Sequence, residues 1–428
     1  MHHRLKLVIV TLSTVLLATL MMGTLLGGSE TTQDAYRHFA VYTEVISRIK
    51  SDYVEEPDMK SVTLGALNGL LESVDPYASY LSADQYKQYL QNKSAKKASV
   101  GLVLSRRFGY VGVVDSIPES PAAKAGLSTG DVLETIAGVA TRDMPLAYAE
   151  MLLEGASGTT IEMTVMRVRR GTEATKIALV REPLKLPAAT VQMKGDGVAV
   201  LTVHTMEAEK TRQIAAKIAE LSKQGAQKLV LDLRDNAYGT PEEGIALANL
   251  FLDKGTITYL QGQKFPKQDF AADAAKAVWK LPMVVVINRG TASGAEIAAN
   301  ALADNKRAEI VGERTYGDAA LRKALTMDDG SAVILSVAKY FNAAGKAIQD
   351  NGVTPTVAVA EQEANADDDE TAPATPAPAT PGEDLQMKTA IEVLVKGKAG
   401  LAQTPQAATP AQSGRPNSPL GVPVAPPK

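Results

Sequence analysis

The chain of 428 residues contains no cysteine, which excludes disulfides, thiol catalysis and thiolate metal ligation, and removes the usual ligands of structural zinc. Histidine is nearly as scarce, with four in all: His2 and His3 at the extreme N-terminus, His38 in a predicted helix and His204 in a predicted strand, none at a ligand spacing. No metal site is expected. A charge excess is missing too, since 45 basic residues against 48 acidic ones give a net charge of −3, without the basic footprint that phosphate backbones attract. Nucleic acid is therefore not an expected partner.

What is present begins with length: 428 residues exceed what one hydrophobic core usually serves, so two or three domains are expected. Arg4 and Lys6 precede an uncharged, largely apolar run over residues 7–28, long enough to span a bilayer. Residues 1–28 read as a signal peptide or membrane anchor. Gly27, Gly28 and Ser29 offer only a loose cleavage pattern, which favours the anchor, and the positive flank would keep that end in the cytoplasm with the remainder outside. An exported protein is expected, membrane-anchored or periplasmic.

Residues 29–97 read as a helical segment, with Tyr42, Val45, Ile46 and Ile49, then Leu64, Leu67, Leu70 and Leu71, at helical spacing. Pro76 interrupts it and predicts two helical stretches joined by a turn. Over residues 98–183 the period changes: Ile161-Glu162-Met163-Thr164-Val165 alternates as a strand does, and Pro121 suits a first helical turn that Gly126 would end. Residues 184–360 alternate apolar strands with helices, the pattern of an α/β layer. Leu229 to Leu233 and Met283 to Ile287 are strands expected to be buried on both faces. Residues 361–384 form a linker rich in Asp, Pro, Ala and Thr; 385–397 suit one short amphipathic helix, and 398–428 a disordered Pro/Ala/Thr-rich tail.

Ser293 stands out chemically, because it follows a buried strand across a Gly-containing turn and opens an alanine-rich helix. Two readings stay open on the residues alone. The serine is a helix N-cap, or its hydroxyl is presented at the carboxyl end of the sheet with the next amide facing a developing oxyanion.

The order of parts, together with Asp75-Pro76-Tyr77-Ala78-Ser79-Tyr80, Ser120-Pro121-Ala122 through Gly130-Asp131, Leu231 to Asn236, Gly290 to Ile297, and Gly345-Lys346-Ala347-Ile348-Gln349 with Gly352-Val353-Thr354-Pro355, resembles the carboxyl-terminal processing (tail-specific) serine proteases. The resemblance runs over residues 36–357. It implies an α/β (α+β) multidomain fold: a helical N-terminal segment, then a PDZ domain inserted before an α/β crotonase-like protease core. It implies that Ser293 is the nucleophile, that the amides of Gly294 and Gly239 serve a developing oxyanion, and that no cofactor is needed. In the PDZ domain it implies a carboxylate-binding loop at Val100-Gly101-Leu102-Val103 and a facing helix contributing Tyr148, Met151 and Leu152 to an apolar pocket, with C-terminal tails of proteins as partners.

Against that resemblance the catalytic constellation departs at three places. The family activates its serine with a lysine 25 positions downstream, and here position 318 is Asp318. The supporting glutamine is Arg322, and Asn236-Ala237-Tyr238-Gly239 replaces Asn-Pro-Gly-Gly on the oxyanion side. Asp318 and Arg322 are expected to form an ion pair; Lys323, Lys306 and Lys339 are the other lysines to consider as a base. The chain is thus expected to be an envelope serine endopeptidase with a modified Ser-Lys-type dyad, or an inactive relative that binds tails as a scaffold, with a second copy or an active protease as its regulatory partner.

Overall fold

The computed structural model describes residues 30–94, 98–107, 109–142, 144–167, 173–361 and 384–398. The anchor expected over residues 1–28 and most of the linker and the tail lie outside these. Among the described residues no helix is long and apolar enough to cross a membrane. The chain divides into two compact units between Leu67 and Asn68.

The smaller unit carries the helix Glu30–Asp52, where Arg48 sits 3.3 Å from Asp52 and 3.9 Å from Glu44, the spacing at which opposite charges meet on a helix face. A second helix, Met59–Val74, crosses into the larger unit.

The larger unit is built on a six-stranded sheet ordered Val357–Ala358, Glu309–Gly312, Met283–Ile287, Lys228–Asp232, Val198–Thr202 and Thr190–Gly195, parallel except for the last pair. Its central strands are apolar at nearly every position because both faces are covered. Leu229, Leu231, Val285 and Ile287 face the helices Lys210–Lys223, Pro241–Asn249 and Gly294–Asp304, while Val230, Val284 and Val286 face Ala390 and Val393 of the helix Leu385–Lys396. The expected short C-terminal helix is therefore the outer layer of the core. Asp384 caps it, accepting from the Met387 amide at 2.9 Å, and grips Arg234 with both oxygens, at 3.0 and 2.9 Å. Arg234 also binds Asp232, so one guanidinium ties the end of a central strand to the covering helix.

Residues 98–182 form a six-stranded antiparallel sheet ordered Leu102–Arg107, Tyr110–Ser116, Val132–Ile136, Thr160–Met166 and Ala174–Val180, with the short Val139–Ala140 also paired to Val132–Ile136 and Leu102–Arg107 at the edge. Ser120 caps the helix Pro121–Lys124 and Gly126 leaves it at φ +70°, in line with the expected turn.

A third sheet was not legible in the sequence. The strand Ala332–Phe341 pairs with Ala320–Thr326, Thr256–Gln261 and Ser79–Leu81. Residues 79–81 correct the all-helical reading of the N-terminal segment. Asp75 turns the chain there, its carboxylate accepting from the amides of Tyr77 at 2.9 Å and Ser336 at 3.1 Å, so a partner 261 positions away makes the strand.

Candidate active site

The loops that follow adjacent parallel strands meet at the carboxyl end of the sheet. Asn288 accepts from the Asp235 amide at 3.0 Å and donates to the Asp235 carboxylate at 2.8 Å; the Thr291 hydroxyl donates to the Leu233 carbonyl at 2.8 Å. Ala292 then donates to the Asn236 carbonyl at 3.0 Å. These bonds fix Ser293 at the N-terminus of the helix Gly294–Asp304, with φ +56° and ψ −124°, a conformation that a non-glycine residue holds only when its surroundings enforce it. Gly294 permits the arrangement: a Cβ there would lie 2.4 Å from the Thr240 carbonyl, because two helix N-termini cross in backbone contact at Gly244 and Gly294.

Below the serine, Glu296 is fully buried and accepts from the amides of Gly317 at 2.7 Å, Asp318 at 2.8 Å and Ser293 at 3.2 Å, and from the Thr315 hydroxyl. Burial pushes its carboxyl up to about 7 against the pull of these donors. The Ser-x-x-Glu spacing is a capping-box signature visible in the sequence, and it marked this residue in retrospect. The motif around Gly345 to Pro355 cradles the same loop: Val353 donates to the Thr315 hydroxyl at 2.7 Å, Gln349 accepts from Ala319 at 2.8 Å, and Asp350 donates to the Gly317 carbonyl at 2.9 Å.

The Ser293 amide donates to the Asp318 carbonyl at 3.0 Å, so position 318 stands beside the serine. Its carboxylate turns to Arg322, on the strand Ala320–Thr326, and the two form the expected ion pair across a strand start. The Arg322 guanidinium lies 4.0 Å above the ring of Tyr77, which is buried and whose phenol is pushed up by that burial, with Asp318 adding. Two of the other lysines are engaged elsewhere: Lys339 pairs with Asp350 at 2.9 Å and Lys323 lies over the Phe265 ring.

Ser293, Asp318, Arg322, Tyr77, Tyr238, Gly239 and Glu150 line one cleft of about 400 Å³. Gly239, at φ +140°, approaches the Met206 carbonyl so closely that a Cβ would sit 2.1 Å from it. Tyr238 pairs with Thr205 in a short parallel bridge outside the positive-φ region, so its side chain costs no backbone strain and forms part of the cleft wall.

Residues 197–359 match peptidase family S41, and residues 112–167 match the PDZ domain. The carboxy-terminal processing protease CtpA of Bacillus subtilis (strain 168) is 30% identical over 364 residues, covering 83% of this chain and 78% of that protein. The chain belongs to the carboxy-terminal processing protease family. A carboxyl-terminal-processing protease of Picosynechococcus sp. is likewise 30% identical, over 84% of this chain and 85% of that protein. The photosystem II D1 C-terminal processing protease shares the fold at a TM-score of 0.62 and 26% identity, covering 75% of this chain and 92% of that one.

In this family member the PDZ domain rests directly on the loops that flank Ser293 and Tyr238. Val114 packs with Ala237 and Ala292, and Val103 and Tyr316 close around them. Val100 is buried in the PDZ core, and Gly101, at φ +82°, has no room for a Cβ beside Ser120. Of the helix Leu146–Leu153, Met151 packs with Leu81 and Ile334, Tyr148 leans against the same cluster, and Leu152 packs against the PDZ core. The reason is a third contact that the sequence does not show, since the Ala147 amide donates to the Ser79 hydroxyl at 3.1 Å. The part of the groove that opens into the cleft is lined by Val103, Leu104, Leu146 and Glu150.

One carboxyl at this contact is a pH-sensitive group. Asp115 is 3% exposed, faces Asp235, and lies 3.4 Å from the Ala237 amide; burial pushes it up to about 7, with Asp235 adding and the amides of Ala237 and Ser116 opposing. Between the ordinary carboxylate range near 4 and about 7 the folded state binds the extra proton, so this contribution to stability is present at low pH and is lost as pH rises through that window. Thermal unfolding is expected at lower temperature at pH 8 than at pH 5. Asp115→Asn should remove on the order of 2 kcal/mol of that difference; an unchanged pH slope in Asp115→Asn would contradict the assignment.

Proposed function

We propose that this protein binds the C-terminal tails of other proteins outside the cytoplasm, through its PDZ domain and the adjoining cleft, and acts as a pseudoprotease that holds or presents tails without hydrolysing them. One observation carries the reading. Beside Ser293, where a base must stand, the Asp318 carboxylate is engaged by Arg322, and no lysine or histidine is among the residues that line the cleft. A serine hydroxyl without a proton acceptor is a weak nucleophile. The apolar run over residues 7–28 would hold the protein at a membrane with the tail-binding face outside.

A second reading, a slow endopeptidase, draws on the strained backbone of Ser293, which preserves a nucleophile's geometry. Fluorophosphonate labelling separates the two. We expect no labelling above that of Ser293→Ala, while a fluorescent peptide with an apolar C-terminus binds. Labelling and peptide hydrolysis that both vanish in Ser293→Ala would establish the endopeptidase instead.

A further inference from the structure

The strand Leu102–Arg107 is the edge of its sheet and pairs only with Tyr110–Ser116, so among the described residues its outer backbone groups are open to an added strand. A peptide there would lie between Val103 and Leu104 on one side and the helix Leu146–Leu153 on the other. Leu146 and Glu150, one helical turn apart, share the helix face that lines this cleft.

Glu150 is the unusual member. Sequence reasoning about the pocket chose only the apolar residues of this helix and passed over the charge between them. The cleft holds two other carboxylates, and both are matched: Glu207 lies 3.2 Å from Lys210, and Asp318 is bound by Arg322. Among the described residues Glu150 has no hydrogen-bonded or salt-bridged cation, and Arg322, the cation that lines the cleft, is already committed to Asp318 and the Tyr77 ring. An occupant that brought its own positive charge would complete this pair; one that brought a carboxylate would meet repulsion in a partly enclosed groove.

We infer that Glu150 is a specificity-determining residue, selecting tails that carry a lysine or arginine within a few residues of an apolar C-terminus. The inference rests on the tail-binding reading above. The Glu150 side chain is exposed to solvent at the mouth of the cleft, and the neighbouring protein pushes its carboxyl up from the ordinary range. Glu154 and Asp318 push the same way and Arg322 opposes; the Tyr89 phenol, raised by its own burial, lies near.

The test measures fluorescence anisotropy of the full chain in detergent micelles with labelled hexapeptides of common apolar C-terminus, carrying Lys, Gln or Glu at each of the four preceding positions. At one position or more, the Lys peptide should bind about 3–10-fold tighter than the Gln peptide at pH 8, with the Glu peptide weakest. Glu150→Gln should abolish the ranking and Glu150→Lys should invert it, each with unchanged circular dichroism. Equal Lys-to-Glu ratios in the wild type and Glu150→Gln would overturn the inference while leaving tail binding intact. Absence of binding by every peptide would overturn the tail-binding reading and this inference with it.

Discussion

The triple substitution Asp318→Lys, Arg322→Gln and Tyr238→Gly is expected to raise Ser293-dependent hydrolysis of an apolar-ended peptide by about 10²–10⁴-fold, the range that a positioned general base supplies. Position 318 already stands beside the serine through the 3.0 Å bond from the Ser293 amide to the Asp318 carbonyl. A lysine there would be largely buried, as the Asp318 side chain is, and lost hydration disfavours the charged ammonium and so frees its lone pair. Asp318→Lys alone should fail, because it sets an ammonium against the Arg322 guanidinium that now pairs with the aspartate. Tyr238→Gly opens the cleft wall on the oxyanion side. The comparison is of initial rates at pH 8, with Ser293→Ala in the triple background as the control. A correctly folded triple variant no faster than that control would place the defect elsewhere than in the missing base.

Glu296→Ala should destabilise the protein by about 3–5 kcal/mol, since it strips the acceptor from three backbone amides and one hydroxyl inside a site with no access to water. The amides belong to Gly317, Asp318 and Ser293, so the loss would also release the loop that carries the base position. Glu296→Gln keeps the volume and one acceptor oxygen, and should lose roughly half as much. Urea denaturation at constant m-value reads both effects. A loss below about 1 kcal/mol in Glu296→Ala would mean that Val353, Gln349 and Asp350 hold the loop without it.

Much of this was legible from local chemistry. The strands at 228–232 and 283–287 appeared as unbroken apolar runs because both faces of a parallel sheet are covered, and that covering leaves its mark at every position. The short C-terminal helix was visible from its periodicity, but its role was not, since only the fold brings Asp384 to Arg234, 150 residues away in sequence. The strand Ser79–Leu81 was read as part of a helical segment for the same reason: three residues carry too little pattern, and the Asp75 to Ser336 bond that makes them a strand is non-local. Tyr77 and Glu296 lay inside segments that marked the family, yet nothing in their spacing told which atoms they would face.

The sequence by itself determined the family, and its resemblance to that family set the expectation of an anomaly: a serine in the expected setting, an aspartate where the resemblance implies lysine, an arginine four places on and a tyrosine where it implies glycine. Those are statements about residue types at counted positions, and counting suffices for them. Only the tertiary structure decided that Asp318 and Arg322 neutralise each other across the start of a strand, that Tyr238 forms a wall without straining its backbone, and that Glu150 is left as the cleft's carboxylate without a bound cation. Charges are paired by distance, and the distances in this cleft are set by elements far apart in the chain.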